Sequence, residues 1–134
     1  MNERKVFDAK LEIVPGIMSV VAGFVEGFSE RTSFDIKLAC EEILVNIASY
    51  AYPDGDGELA LCLENDTENR KVRITFEDSG IPFNPLLEDD PDLGVPMAER
   101  NIGGLGIMMV RKRMDCVEYA YSDGKNILTL TKDY

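Results

Sequence analysis

Three stretches far apart in the chain carry residue types whose spacing could do chemistry. In ACEEILVNIASYAYP, residues 39–53, Glu42 and Asn46 lie four apart, which on a helix puts both side chains on one face. A carboxylate and an amide so placed could orient an attacking hydroxyl and help hold a hard cation such as Mg²⁺, which keeps several waters and takes few protein ligands. In FEDSGIPFNP, residues 76–85, a strand ends in Asp78, Ser79 and Gly80 turn the chain, and Pro82 stiffens its exit. An acidic side chain at a strand end can accept a hydrogen bond from an amino group such as that of adenine. In NIGGLGIMMVRKRMD, residues 101–115, Gly103, Gly104 and Gly106 lead into a helical run. Without Cβ they let the backbone approach a ligand, and N–H groups at a helix N-terminus bind anions, so a polyphosphate fits there. Each stretch also has a plainer reading: a solvated helix face, a turn-forming aspartate, and a tightly packed helix start.

Composition narrows the classes. The chain has 134 residues, a length that fits one domain with its own core. There is no histidine, which excludes a Ser-His-Asp triad, a histidine metal site and a phosphohistidine on this chain. Three cysteines, Cys40, Cys62 and Cys116, form no Cys-x-x-Cys pair and read as buried thiols. A formal charge of −11 argues against nucleic acid, because phosphate neutralisation needs clustered Lys and Arg. It suits a basic protein partner, or simply solubility. No apolar run approaches the ~20 residues that span a bilayer, and the N-terminus lacks a signal-like apolar segment, so the expected location is the cytoplasm.

Periodicity assigns the three stretches to helices and strands. Lys5 to Val14 alternates, with Phe7, Ala9, Leu11 and Ile13 on one face, and reads as a first strand. After Pro15 and Gly16, the residues Ile17, Val20, Val21, Phe24, Val25 and Phe28 recur at helical spacing. Ser33 is the candidate N-cap of a second helix reaching Tyr50 or Tyr52, with Ile36, Cys40, Ile43 and Ile47 as its core seam. Glu58 to Glu64 and Lys71 to Glu77 read as a hairpin. From Asn84 to Asn101 the period breaks in a proline-rich, acidic loop, of a length that marks a functional lid or a disordered segment. A helix after Gly104, a strand from Cys116 to Tyr121, an SDGKN turn and a last strand from Ile127 to Lys132 complete the chain. This order predicts an α+β two-layer sandwich, with a mixed, mostly antiparallel sheet covered on one face by about three helices. The glycines match neither the dinucleotide fingerprint nor the P-loop, since no Gly-Lys-Ser/Thr follows them.

In combination, the E-x-x-x-N of Glu42 to Asn46, the D-x-G-x-P-F of Asp78 to Phe83 and the G-G-x-G of Gly103 to Gly106 resemble the N, G1 and G2 boxes of the GHKL, or Bergerat-fold, ATP-binding superfamily. Within it the likeness is to the small anti-sigma factor serine/threonine kinases of the RsbW and SpoIIAB type, and it covers nearly the whole chain as a single domain, 1–134. The resemblance implies that Glu42 is the general base, Asn46 the Mg²⁺ ligand and Asp78 the residue that binds the adenine amino group, with Gly80 shaping that turn. It implies a phosphate loop at Gly103, Gly104 and Gly106, with Arg100 as a further phosphate candidate, Thr129 near the adenine, and an ATP lid at about 84–102. It further implies ATP and Mg²⁺ as cofactors, a STAS-domain anti-anti-sigma protein as substrate, a sigma factor as second partner, and a homodimer. A module that binds ATP only to switch partners, without phosphotransfer, would use the same residues.

Overall fold

The computed structural model describes residues 2–87 and 104–134. Arg100, Gly103 and most of the expected lid lie outside the described residues. The chain runs β1 (Asn2–Asp8), a 3₁₀ turn (Leu11–Ile13), α1 (Val14–Phe24), α2 (Glu30–Tyr50), β2 (Glu58–Asp66), β3 (Lys71–Asp78), a 3₁₀ turn (Pro85–Leu87), α3 (Gly104–Arg113), β4 (Cys116–Ser122) and β5 (Lys125–Asp133). The five strands form one sheet in the order β1-β2-β3-β5-β4. This is the expected α+β sandwich.

All four strand pairings are antiparallel, rather than mixed. The connections explain why. Two successive helices between β1 and β2 return the chain running opposite to β1. β3 and β4 run parallel in direction, but β5 pairs between them, so among the described residues no parallel neighbours meet. The β4–β5 turn uses Asp123 and Gly124 at φ 54° and 76°, the left-handed pair that matches hairpin twist.

The core lies between the sheet and α2, which packs against both α1 and α3. Ile36, Cys40, Ile43 and Leu44 of α2 are buried, together with Leu59, Leu61 and Leu63 of β2, Val72, Ile74 and Phe76 of β3, and Leu128 and Leu130 of β5. Each such side chain contributes roughly 1.5–3 kcal/mol, more than an exposed ion pair such as Lys71–Asp133 supplies. The seam expected on the second helix is therefore the central stabilising feature.

Four local expectations are corrected. The first strand ends at Asp8, and Leu11–Ile13 forms a 3₁₀ turn, because Pro15 falls within the first turn of α1, where its missing N–H is not needed. The first helix stops at Phe24; Val25 stays buried and Phe28 packs its ring edge-on against Phe24 beyond a turn at Gly27, φ 94°. The cap of α2 is Ser29, whose hydroxyl accepts from Thr32 N at 3.1 Å, whereas the Ser33 hydroxyl donates to Val25 O. Of the three thiols only Cys40 is buried, and burial pushes its pKa up to about 12; Cys62 is half-buried and Cys116, opening the edge strand β4, is exposed.

Candidate functional site

The site begins where β3 ends. Asp78 is its last residue and is only 7% exposed. The chain then turns hard against the C-terminus of α2, where Ile81 N donates to Ala51 O at 3.0 Å. A Cβ on Gly80 would lie 2.2 Å from that same carbonyl oxygen, so only glycine allows this approach. Gly80 N donates to Asp78 Oδ1 at 2.9 Å. Tyr52 pins the turn from the other side: its hydroxyl accepts from Ser79 N at 2.8 Å and donates to Glu58 O at 2.6 Å. Burial, followed by the charge of Asp78, raises the pKa of this phenol, which keeps it a donor.

Against this turn lies a cavity of about 260 Å³ between α2 and the sheet. Ile43, Ile47, Phe76, Ile81 and Leu128 make its walls apolar, while Asn46, Asp78 and Asn126 add the few polar groups. Such a slot, apolar with sparse polar groups, suits a flat heterocycle read at one edge. Asn126, on β5 opposite Asp78 in register, organises that edge. Its Nδ2 donates to Asp78 Oδ1 and to Ile81 O, each at 2.9 Å. Its Oδ1 accepts from Phe83 N at 3.1 Å and from the Tyr119 hydroxyl.

A second set of groups adjoins the first. Glu42 and Asn46 face the start of α3, while the neighbouring Glu41 is exposed. A Cβ on Gly106 would lie 2.7 Å from Glu42 Oε2 and 3.9 Å from Asn46 Nδ2. The glycine thus lets the N-terminal turn of α3 close on the carboxylate. Asn46 belongs to both sets, since it also lines the cavity. Arg111 ties the other side of α3 to the loop after β3, donating to Leu86 O at 2.6 Å. The far end of α3 is anchored by Asp35, which is 4% exposed and meets Arg113 at 3.0 Å and Lys132 at 3.3 Å. Burial works against the charge of Asp35, but the hydrogen bonds from Arg113 and Lys132 outweigh it and hold its pKa below the usual 3.8.

The structure therefore brings Glu42, Asn46, Asp78, Gly80 and Gly106 around one end of the sheet, and Gly104 opens α3 beside them. It does not bring Thr129 there. On β5 the side chains of Asn126, Leu128 and Leu130 turn toward the helices, so Thr129 points to the opposite face, its hydroxyl 3.4 Å from that of Thr75. Asn126, Tyr119 and Tyr52 are the site residues that motif reading missed. Among the described residues no group of three or more His, Cys, Asp or Glu could cage a metal. An oxygen donor such as Asn46 beside the N-terminal turn of α3 fits Mg²⁺ better, since that ion takes one or two protein ligands and fills its other positions with water or phosphate oxygens. No helix among the described residues is long and apolar enough to cross a membrane.

An α+β sandwich with a base-sized slot, one carboxylate at its edge and a glycine-led helix beside it defines a nucleotide-binding domain. Residues 7–132 match the histidine kinase-like ATPase domain family. The chain is 32% identical over 104 residues to the serine/threonine-protein kinase BtrW of Bordetella bronchiseptica, covering 78% of this chain and 72% of that protein. It is 30% identical over 126 residues to the serine-protein kinase RsbW of Bacillus thuringiensis, covering 90% of this chain and 78% of that one. Among solved structures it resembles the RsbU and RsbW domains of Rv1364c from Mycobacterium tuberculosis, at TM-score 0.65 and 16% identity. That likeness covers 99% of this chain and 32% of the larger one. A histidine kinase domain from Erythrobacter litoralis EL346 gives TM-score 0.58 at 19% identity, over 90% of this chain and 59% of that one. The chain belongs to the histidine kinase-like ATPase domain family, within its group of serine/threonine-protein kinases represented by RsbW and BtrW.

Proposed function

We propose that this chain, acting as one domain, is an ATP- and Mg²⁺-dependent protein serine/threonine kinase that works as a bacterial partner switch in the cytoplasm. Its substrate is a serine or threonine hydroxyl on a STAS-type anti-anti-sigma protein, and its alternative partner is a sigma factor. The observation that carries this reading is the contact of Gly106 with Glu42 beside Asn46, which also lines the base-sized cavity. Proton acceptor, cation ligand and nucleobase slot are thereby contiguous.

In this scheme Asp78 accepts from the adenine amino group at the edge of the cavity, and the N-terminal turn of α3 donates to the phosphates. Glu42 takes the proton of the attacking hydroxyl as its oxygen bonds to the γ-phosphorus and the bond to the departing ADP breaks. Asn46 would hold Mg²⁺ through its side-chain oxygen. When bound, such an ion would neutralise charge on the phosphates. Positioning supplies most of the rate. The exposed edge strand β1, with Val6 half-exposed among charged neighbours, supports pairing of two copies into a homodimer.

The test is incubation with γ-labelled ATP, Mg²⁺ and a STAS protein encoded beside this chain. Transfer of label to a serine or threonine supports the kinase. Bound nucleotide with no transferred label across such partners overturns phosphotransfer and favours a module that uses ATP only to switch partners.

A further inference from the structure

The hydrogen bonds around Asn126 leave none of its capacity for a ligand. A side-chain amide offers two N–H donors and an oxygen with two lone pairs. Here both donors are committed, to Asp78 Oδ1 and to Ile81 O, and both lone pairs are filled, by Phe83 N and the Tyr119 hydroxyl. These four partners also fix which way the amide faces. Turning it over would set its oxygen against the Asp78 carboxylate and the Ile81 carbonyl, and its NH₂ against the Phe83 N–H.

Asp78 is constrained in turn. Among the described residues both hydrogen bonds to its carboxylate, from Gly80 N and Asn126 Nδ2, go to Oδ1. Oδ2 is thus the oxygen available to a ligand, and it can only accept. A purine bearing an amino group at position 6 gives it a donor. A purine bearing an oxo group there presents lone pairs to a carboxylate. Of the two side-chain amides that line the cavity, Asn46 and Asn126, the one bonded to Asp78 is Asn126, and it has no donor to spare for an oxo group.

We propose that Asn126, braced by Tyr119, is a positioning and specificity-determining residue. It fixes Asp78 as a one-sided acceptor, and by committing its own donors it makes the cavity reject 6-oxopurines. The same amide hangs the Ile81–Phe83 wall of the cavity on β5, so base selection and the shape of that wall share one side chain. This inference rests on the adenine-nucleotide reading above.

ADP and inosine diphosphate test it, because they differ only at position 6 and the adjacent ring nitrogen. Calorimetry on the full chain with Mg²⁺ is expected to show ADP binding at least about 100-fold tighter, since a buried site built to hydrogen-bond one group strongly rejects the analogue that lacks it. Asn126→Ala should shrink that ratio at least tenfold, through both weaker ADP binding and less rejection of inosine diphosphate. Tyr119→Phe, which deletes one hydroxyl, should shrink it severalfold and keeps the test alive if Asn126→Ala does not fold. A parent protein that binds neither nucleotide, or both equally, overturns the adenine reading itself. A parent that discriminates, with either folded variant keeping the full ratio, overturns only the role of Asn126. A merely structural role would lower both affinities together and leave the ratio unchanged, which counts against the proposal.

Discussion

Gly106→Ala should separate folding from catalysis. The added Cβ would lie 2.7 Å from Glu42 Oε2 and 3.6 Å from Glu42 Cδ. The carboxylate must retreat by about 0.7 Å before the contact relaxes to an ordinary 3.4 Å. A side-chain tip can do this cheaply, and alanine gains up to about 1 kcal/mol over glycine in a helix, so the melting temperature should move by only a few degrees. Asn46 Nδ2, at 3.9 Å from the new atom, already has room, so ADP affinity should stay within about threefold. The proton acceptor, however, is displaced by most of an ångström. Misplacement on that scale costs up to about 100-fold, so single-turnover phosphotransfer from γ-labelled ATP to a STAS partner should fall roughly 10- to 100-fold. A folded variant that transfers phosphate at the parental rate would refute the reasoning, as would one that unfolds.

Two further outcomes concern the scaffold. Asp35→Ala strands Arg113 and Lys132 around an emptied buried position and should cost about 3 kcal/mol in urea unfolding at pH 7. Because the folded pKa of Asp35 lies below 3.8, its contribution is complete above that value and is lost as pH falls through the lower one; the gap between parent and variant should stay constant from pH 7 to 5 and close below 3.8, and a gap that widens in acid would contradict the assignment. Ser29→Ala removes the acceptor for Thr32 N and should lower stability by about 1 kcal/mol, measured by the same unfolding; no loss would show that the cap is made elsewhere.

Much of this architecture was legible because burial imposes a period. Ile36, Cys40 and Ile43 mark the helix seam, and the alternation of Val72, Ile74 and Phe76 marks a half-buried strand. The Glu42/Asn46 pair was legible because helix geometry alone puts them on one face. Two misreadings came from treating pattern without its phase. Leu128 and Leu130 alternate with Thr129, so the core-facing leucines turn the threonine to the opposite face, and Asn126 shares the parity of the leucines. At FSERTS, Ser29 and Ser33 lie four apart on the same helical face, and periodicity does not say which one begins the helix. That is settled by the left-handed Gly27, which turns the chain two residues before the cap. The apolar alternation from Phe7 to Ile13 misled for a related reason: a 3₁₀ turn can follow a strand without interrupting an i, i+2 pattern. The four-way bonding of Asn126 was not legible at all, since it depends on β3, β4, β5 and the loop after Asp78 meeting in space.

The most direct measurement is phosphotransfer by Glu42→Gln, run beside ADP calorimetry on the same preparation. The amide keeps the size of the carboxylate and its place against Gly106 but cannot take a proton. ADP affinity within about threefold of the parent, together with phosphotransfer to the STAS partner reduced at least about 100-fold, is the result this account predicts. Transfer at a near-parental rate by a variant that still binds nucleotide would contradict it.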